Sequence, residues 1–180
     1  ALVYYWYGEF LMSQGQPEDA MKVAARGLKL DPLSPVVRSS NGMILYLARR
    51  YDLASELLVN AIETSPDHFL PHMRLGLVRI QQKQFPEAIQ QMKIATRLAE
   101  ESTETQASLA MAYAASGDRA NALRIARKLE DARGRRYVLP YNIAKIYAAA
   151  NDRTRAFDWL ETAYEGGNPD LIELNSEPLF

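Results

Sequence analysis

The stretch GQPEDAMKVAARGLKLDP, Gly15 to Pro32, is answered 34 residues later by RRYDLASELLVNAIETSP, Arg49 to Pro66. Few letters match, yet Ala20 aligns with Ala54, Leu28 with Ile62 and Pro32 with Pro66. Written in rows of 34, the chain gives five rows starting at Ala1, Pro35, Phe69, Thr103 and Tyr137. Column 20 is then Ala20, Ala54, Ala88, Ala122 and Ala156. Roughly one residue in seven is Ala, so five matches in one column arise by chance with odds on the order of one in ten thousand. Column 8 holds Gly8, Gly42, Gly76, Ala110 and Ala144, and column 27 is small in four rows of five, the exception being Leu129.

Close packing explains why these columns stay in step. Each row contains two helical stretches, Tyr4 to Gln14 and Glu18 to Leu30 in the first. Small residues at columns 8, 20 and 27 let two antiparallel helices approach closely. Larger residues, Leu45, Tyr113 and Tyr147 in column 11 and Leu58, Met92 and Leu160 in column 24, are expected to plug the space between one pair and the next. Pro32 and Pro66 forbid continuation of the second helix. Gly15, Gly117 and Asn151 at column 15 supply the turn within a pair. The Asn41-Gly42 dipeptide, a hairpin signal in isolation, falls at mid-helix columns, and the helical period overrides it.

The pattern resembles the tetratricopeptide repeat over essentially all of residues 1–170. That family's motif survives as Leu75-Gly76 with Ala88 and Met92, and as Gly42 with Ala54, Leu58 and Pro66. The expected fold is therefore all-α: a right-handed solenoid of five helical hairpins, 1–34, 35–68, 69–102, 103–136 and 137–170. The tail NPDLIELNSEPLF begins with Pro169-Asp170 at a helix-start position, and residues 171–180 are expected to form a partial cap over the fifth repeat. Rows four and five lack the column-32 proline, which leaves their inter-repeat angle open.

Composition sets bounds. The chain has 180 residues, Lys+Arg 21 against Asp+Glu 22, a net charge of -1 and no cysteine. Near-neutrality gives no global pull towards nucleic acid or anionic membrane. The missing cysteines remove disulfides and thiolate metal sites, and suit the cytoplasm, which is favoured, and the periplasm alike. No run approaches the ~20 apolar residues of a membrane span. The opening ALVYYWYGEF lacks the basic start of a signal sequence, and its hydrophobicity leads to the expectation that the chain is cut from something larger.

Catalytic motifs are sparse. His68 and His72 are spaced i, i+4, but Pro71 at a helix start puts His68 in the preceding linker, so the pair reads as partly exposed loop and helix-start residues rather than a metal site. No G-x-S-x-G elbow is present, and Gly166-Gly167 follows a helix instead of opening one. Glu100-Glu101 and Glu130-Asp131 read as solvated helix ends. The sequence thus points to no enzyme and no cofactor. A run of cations, including Arg124, Arg127, Lys128, Arg135 and Arg136, makes phosphate contact an alternative, but no aromatic is interleaved for base stacking, and a solvated face beside an acidic fifth repeat is the preferred reading.

By resemblance to tetratricopeptide arrays, the first helix of each pair lines a concave groove through columns 2, 5, 9 and 12. Here those columns supply Tyr5, Glu9, Met43, Tyr46, Met73, Leu77, Ile80, Met111, Tyr141 and Lys145. The central wall is apolar and rich in Met and Tyr, suited to an apolar helix or extended peptide. Three occupants stay open: a separate protein, another segment of the same polypeptide, or simple core. Family members that hold chaperone C-terminal carboxylates use Lys at column 5 and Asn at column 9 of their first repeat. Tyr5 and Glu9 stand there instead, which argues against that class. Self-association through an exposed end face such as Tyr4-Tyr5-Trp6-Tyr7 is the competing function. The segment Arg135–Phe180, through Tyr137, Pro140-Tyr141, Ala144, Tyr147, Arg155 to Leu160 and Pro178-Leu179-Phe180, also resembles the ends of repeat regions attached to bacterial signalling proteins: winged-helix regulators, adenylate cyclases and serine/threonine kinases.

Overall fold

The computed structural model describes residues 1–100 and 102–178. Glu101 of the acidic pair and Leu179-Phe180 of the C-terminal motif lie outside the described residues. Ten α-helices follow in five antiparallel hairpins: α1 (Leu2–Ser13) with α2 (Pro17–Leu30), α3 (Pro35–Leu47) with α4 (Tyr51–Thr64), α5 (Phe69–Gln81) with α6 (Phe85–Leu98), α7 (Thr103–Ala115) with α8 (Arg119–Ala132), and α9 (Pro140–Ala149) with α10 (Arg153–Glu165). A 3-10 turn, Pro169–Glu173, ends the described secondary structure. No helix among the described residues is long and apolar enough to cross a membrane.

Local chemistry fixes the helix ends. Ser34, Ser102, Asp118 and Asp152 each accept a hydrogen bond from a backbone N–H three residues on. At the turn inside every hairpin the column-15 residue is left-handed: Gly15, Arg49, Lys83, Gly117 and Asn151 have φ of 70°, 57°, 60°, 89° and 54°. The following N–H donates to the column-11 carbonyl at 2.8–2.9 Å in all five, as in Gln16 to Leu11 and Asp152 to Tyr147. This bond closes each first helix and aims the chain back along it. The sequence marks three of the five turns. Arg49 and Lys83 are invisible in it because the hydrogen bonds impose the conformation on residues that do not prefer it.

The alanines of column 20 are buried throughout. A Cβ on Gly42 would lie 2.7 Å from the Leu58 side chain, and one on Gly76 the same distance from Met92. Leu58 and Met92 thus fill the gap inside a hairpin, above the column-8 glycine, and do not plug the space between pairs as expected. Column 11 behaves otherwise: Tyr147 Oη donates to Glu130 of the preceding repeat at 2.7 Å. Each of α3, α5, α7 and α9 packs on both helices of the preceding hairpin, whereas the second helices make no comparable contact with one another. The first helices therefore form a continuous inner wall and the second helices splay outward, which generates a concave face.

Two features depart from the regular pattern. The fifth repeat starts late: Tyr137 is exposed in a loop, and α9 begins only at Pro140, whose missing N–H and effect on Leu139 set the boundary there. The C-terminal segment, expected over the fifth repeat, turns inward. Its 3-10 turn contacts α1, and Glu177 reaches Tyr46 in the second repeat.

Candidate functional site

The concave face encloses a cavity of about 640 Å³. Of the ten groove residues expected from the sequence, seven line it: Tyr5, Glu9, Met43, Met73, Leu77, Met111 and Lys145. The other three lie outside its lining. Ile80 is buried in the wall at 7% exposed, and the lining residues Met43, Met73, Leu77 and Met111 are buried to a similar degree. Tyr141 is buried with the Lys145 ammonium 4.9 Å from its ring centre. Tyr46 is buried with its hydroxyl donating to Glu177 Oε1 at 3.0 Å. Burial first, and then the carboxylate beside it, hold the Tyr46 hydroxyl well above the ordinary phenol range.

Polar residues that the column argument missed complete the lining. Column 6 contributes Arg74, Ser108 and Asn142, and the lip adds Thr103 and Glu104. Arg74 reaches back to the first two repeats, its guanidinium 5.4 Å from the Tyr5 ring centre and its Nη1 donating to Ser40 Oγ at 3.4 Å. The signal was present in the sequence, since column 6 is polar in each of repeats two to five (Ser40, Arg74, Ser108 and Asn142). The chain's own Pro169, Asp170 and Ile172 also line the cavity.

The five residues considered for phosphate contact come together on the outer side. Arg124, Arg127, Lys128, Arg135 and Arg136 line a depression of about 820 Å³ along α8 and the loop after it, together with Asp131. All five are exposed. Neighbouring cations meet the fifth repeat: Arg119 approaches Asp152 at 3.4 Å, and Arg133 stacks over Trp159 at 4.8 Å.

His68 precedes α5, in the linker as expected. His72, expected to be partly exposed, is buried: Nδ1 lies 2.6 Å from Gln91 Oε1 and Nε2 lies 2.9 Å from the Pro66 carbonyl. Both ring nitrogens thus pin the start of α5 to its surroundings. Among the described residues no three His, Asp or Glu side chains gather as a metal site would require.

An end face is also bare. Val3, Trp6, Tyr7 and Phe10 form an exposed apolar stripe on α1, with Val3 69% and Phe10 49% exposed. Tyr4 and Tyr5, grouped with them in the sequence, are half-buried. The residues equivalent to Phe10 in the later repeats, Ile44, Val78, Ala112 and Ile146, are fully buried. At the other end, Phe157 and Tyr164 of α10 are exposed, whereas their counterparts in the first four repeats are buried or half-buried.

Helical hairpins at a 34-residue period, with an inner wall of first helices around a groove, define a helical-repeat scaffold. Residues 1–39 and 41–103 match family models of the tetratricopeptide repeat, together more than half of the chain, which belongs to that family. Proteins of this class generally mediate protein–protein interaction. The fold is similar to that of TTC0263, a thermophilic TPR protein of Thermus thermophilus (17% identity, 97% of this chain and 96% of that one, TM-score 0.72). It is also similar to MamA of Desulfovibrio magneticus RS-1 (17% identity, 91% and 92%, TM-score 0.57). A third similar structure is YrrB, described as a TPR protein with an unusual peptide-binding site (22% identity, 96% and 89%, TM-score 0.51). No curated protein matches the chain in sequence.

Proposed function

We propose that the chain is a non-catalytic interaction module that holds a peptide or helix of a partner protein in its concave groove. One observation carries this reading: Met43, Met73, Leu77 and Met111 line a cavity of about 640 Å³ whose rim is polar. Adaptable methionines beneath convergent polar groups suit a side-chain-bearing segment. The rigid hairpins present that surface with little ordering cost on binding. The resemblance of Arg135–Phe180 to repeat regions of bacterial signalling proteins supports a regulatory setting, in which the module acts on an output domain.

Site-specific photo-cross-linking in the source cell tests this. A photoreactive residue replacing Glu104 or Lys145, both at the cavity, is expected to trap the same discrete partner. One replacing the exposed Ala25 of α2 is expected not to. Identical adducts from all three positions contradict the groove reading.

The bare faces favour a second reading, self-association. Phe10 and its neighbours on α1 are what a preceding hairpin covers in every later repeat, and Phe157 and Tyr164 are the matching surplus on α10. Stacking α1 of one copy on α10 of another would continue the solenoid between molecules. Sedimentation of the native chain and Trp6→Lys separates the readings: a mass that rises with concentration only in the native chain supports stacking, and two monomers exclude it.

A further inference from the structure

The groove in this structure is not empty of chain. After α10, Gly167 adopts φ +63°, and the Asn168 side chain accepts from the Asp170 N–H at 3.0 Å. These two devices turn the backbone towards the concave side, where a sixth hairpin would otherwise begin. Pro169 and Ile172 then line the same cavity as Met43, Met73, Leu77 and Met111, with Ile172 remaining 51% exposed. Five residues beyond Ile172, Glu177 is 4% exposed and accepts the Tyr46 hydroxyl hydrogen bond at 3.0 Å. A carboxylate is seldom buried without such a donor, because its desolvation must be offset. The wall therefore presents two things at a fixed separation: an apolar floor and a buried hydroxyl that receives a carboxylate.

We propose that this pair of features is a recognition subsite for a short peptide segment, turned as Pro169–Glu173 is, bearing an aliphatic side chain and, about five residues on, a glutamate, and that residues 169–178 are its tethered occupant. The inference rests on the groove being the binding face. Tyr46 reads the carboxylate, the methionine floor takes the aliphatic side chain, and an incoming segment of the same chemistry must displace the tail. A tethered competitor faces the site at an effective concentration in about the millimolar range, so the native chain binds such a segment weakly.

The test uses the full chain and a fluorescein-labelled peptide of sequence NPDLIELNSEP, residues 168–178, followed by anisotropy. Glu177→Lys removes the carboxylate from the resident tail, and this variant is expected to bind the peptide about ten-fold more tightly than the native chain. Adding Tyr46→Phe is expected to remove most of that gain, and so is replacing the glutamate of the peptide that corresponds to Glu177 by glutamine. Equal affinity of the native and Glu177→Lys chains overturns the proposal. So does a gain that survives Tyr46→Phe. If Glu177→Lys loses its helical circular dichroism, Ile172→Asp, at a half-exposed position of the tail, is the releasing variant, and the absence of a gain there is equally fatal. Partner capture at Glu104 by a chain that ignores the peptide in every variant would preserve the interaction reading and overturn this ligand chemistry alone.

Discussion

Two tyrosines on the inner helices show how single side chains tie distant parts of the chain. Tyr46 donates to Glu177, and Tyr147 donates to Glu130 at 2.7 Å while Arg155 donates to its hydroxyl oxygen at 3.2 Å. Burial, followed by the Glu130 bond, raises the Tyr147 hydroxyl to about 12, and burial with Glu177 raises that of Tyr46. Both folded values exceed the unfolded value of about 10. The stabilisation they contribute is therefore complete below pH ~10 and is lost as pH rises through the folded values. The expected result is a stability that declines above pH ~10, with these two tyrosines ionising after the exposed ones in a titration of absorbance near 295 nm. Ionisation of all ten tyrosines in one step near pH ~10, before any unfolding, would contradict these contacts. Neither bond was legible in the sequence. A tyrosine in an apolar column looks the same whether its hydroxyl meets water or a carboxylate 131 residues away.

The helical hairpin was the most legible element, because its packing admits few residues at few positions. A Cβ on Gly42 would meet Leu58 Cγ and Cδ2 at 2.7 Å, a branch point that cannot swing clear. On Gly76 it would meet the flexible Met92 side chain, with Cε at 2.7 Å. Gly→Ala gains about 1 kcal/mol of helix propensity, against ~1–3 kcal/mol for overpacking. Gly42→Ala is expected to lower stability by about 1 kcal/mol net, and Gly76→Ala to lie near zero, in urea denaturation. The double variant Gly42→Ala with Leu58→Ala should cost less than the sum of its parts, since repeat four already pairs Ala110 with Ala126 in these columns. Strict additivity would mean that the two positions do not share a space. The period revealed that columns 8 and 24 matter, but not that they face each other. Likewise Arg49 and Lys83 carry no turn signal, since five turns of one geometry need only their hydrogen bonds in common.

For the whole molecule, curvature follows from first helices that pack on one another and second helices that make no comparable contact. The groove was partly legible through the resemblance to tetratricopeptide arrays, which supplied the inward columns, and seven of the ten residues named from them line the cavity. Burial does not separate the columns, since Met73 and Met111 of the lining are as buried as Ile80 of column 12. The path of the tail was not legible, since nothing local in NPDLIELNSEP records a partner in the second repeat. That path is the central structural claim, because it decides what the groove already holds. The measurement that tests it most directly is a double-mutant cycle on Tyr46→Phe and Glu177→Gln, read as unfolding free energy of the full chain. A coupling of about 1 kcal/mol between residues so far apart in sequence is the predicted result. Additivity within ~0.3 kcal/mol would place the tail elsewhere and leave the groove open.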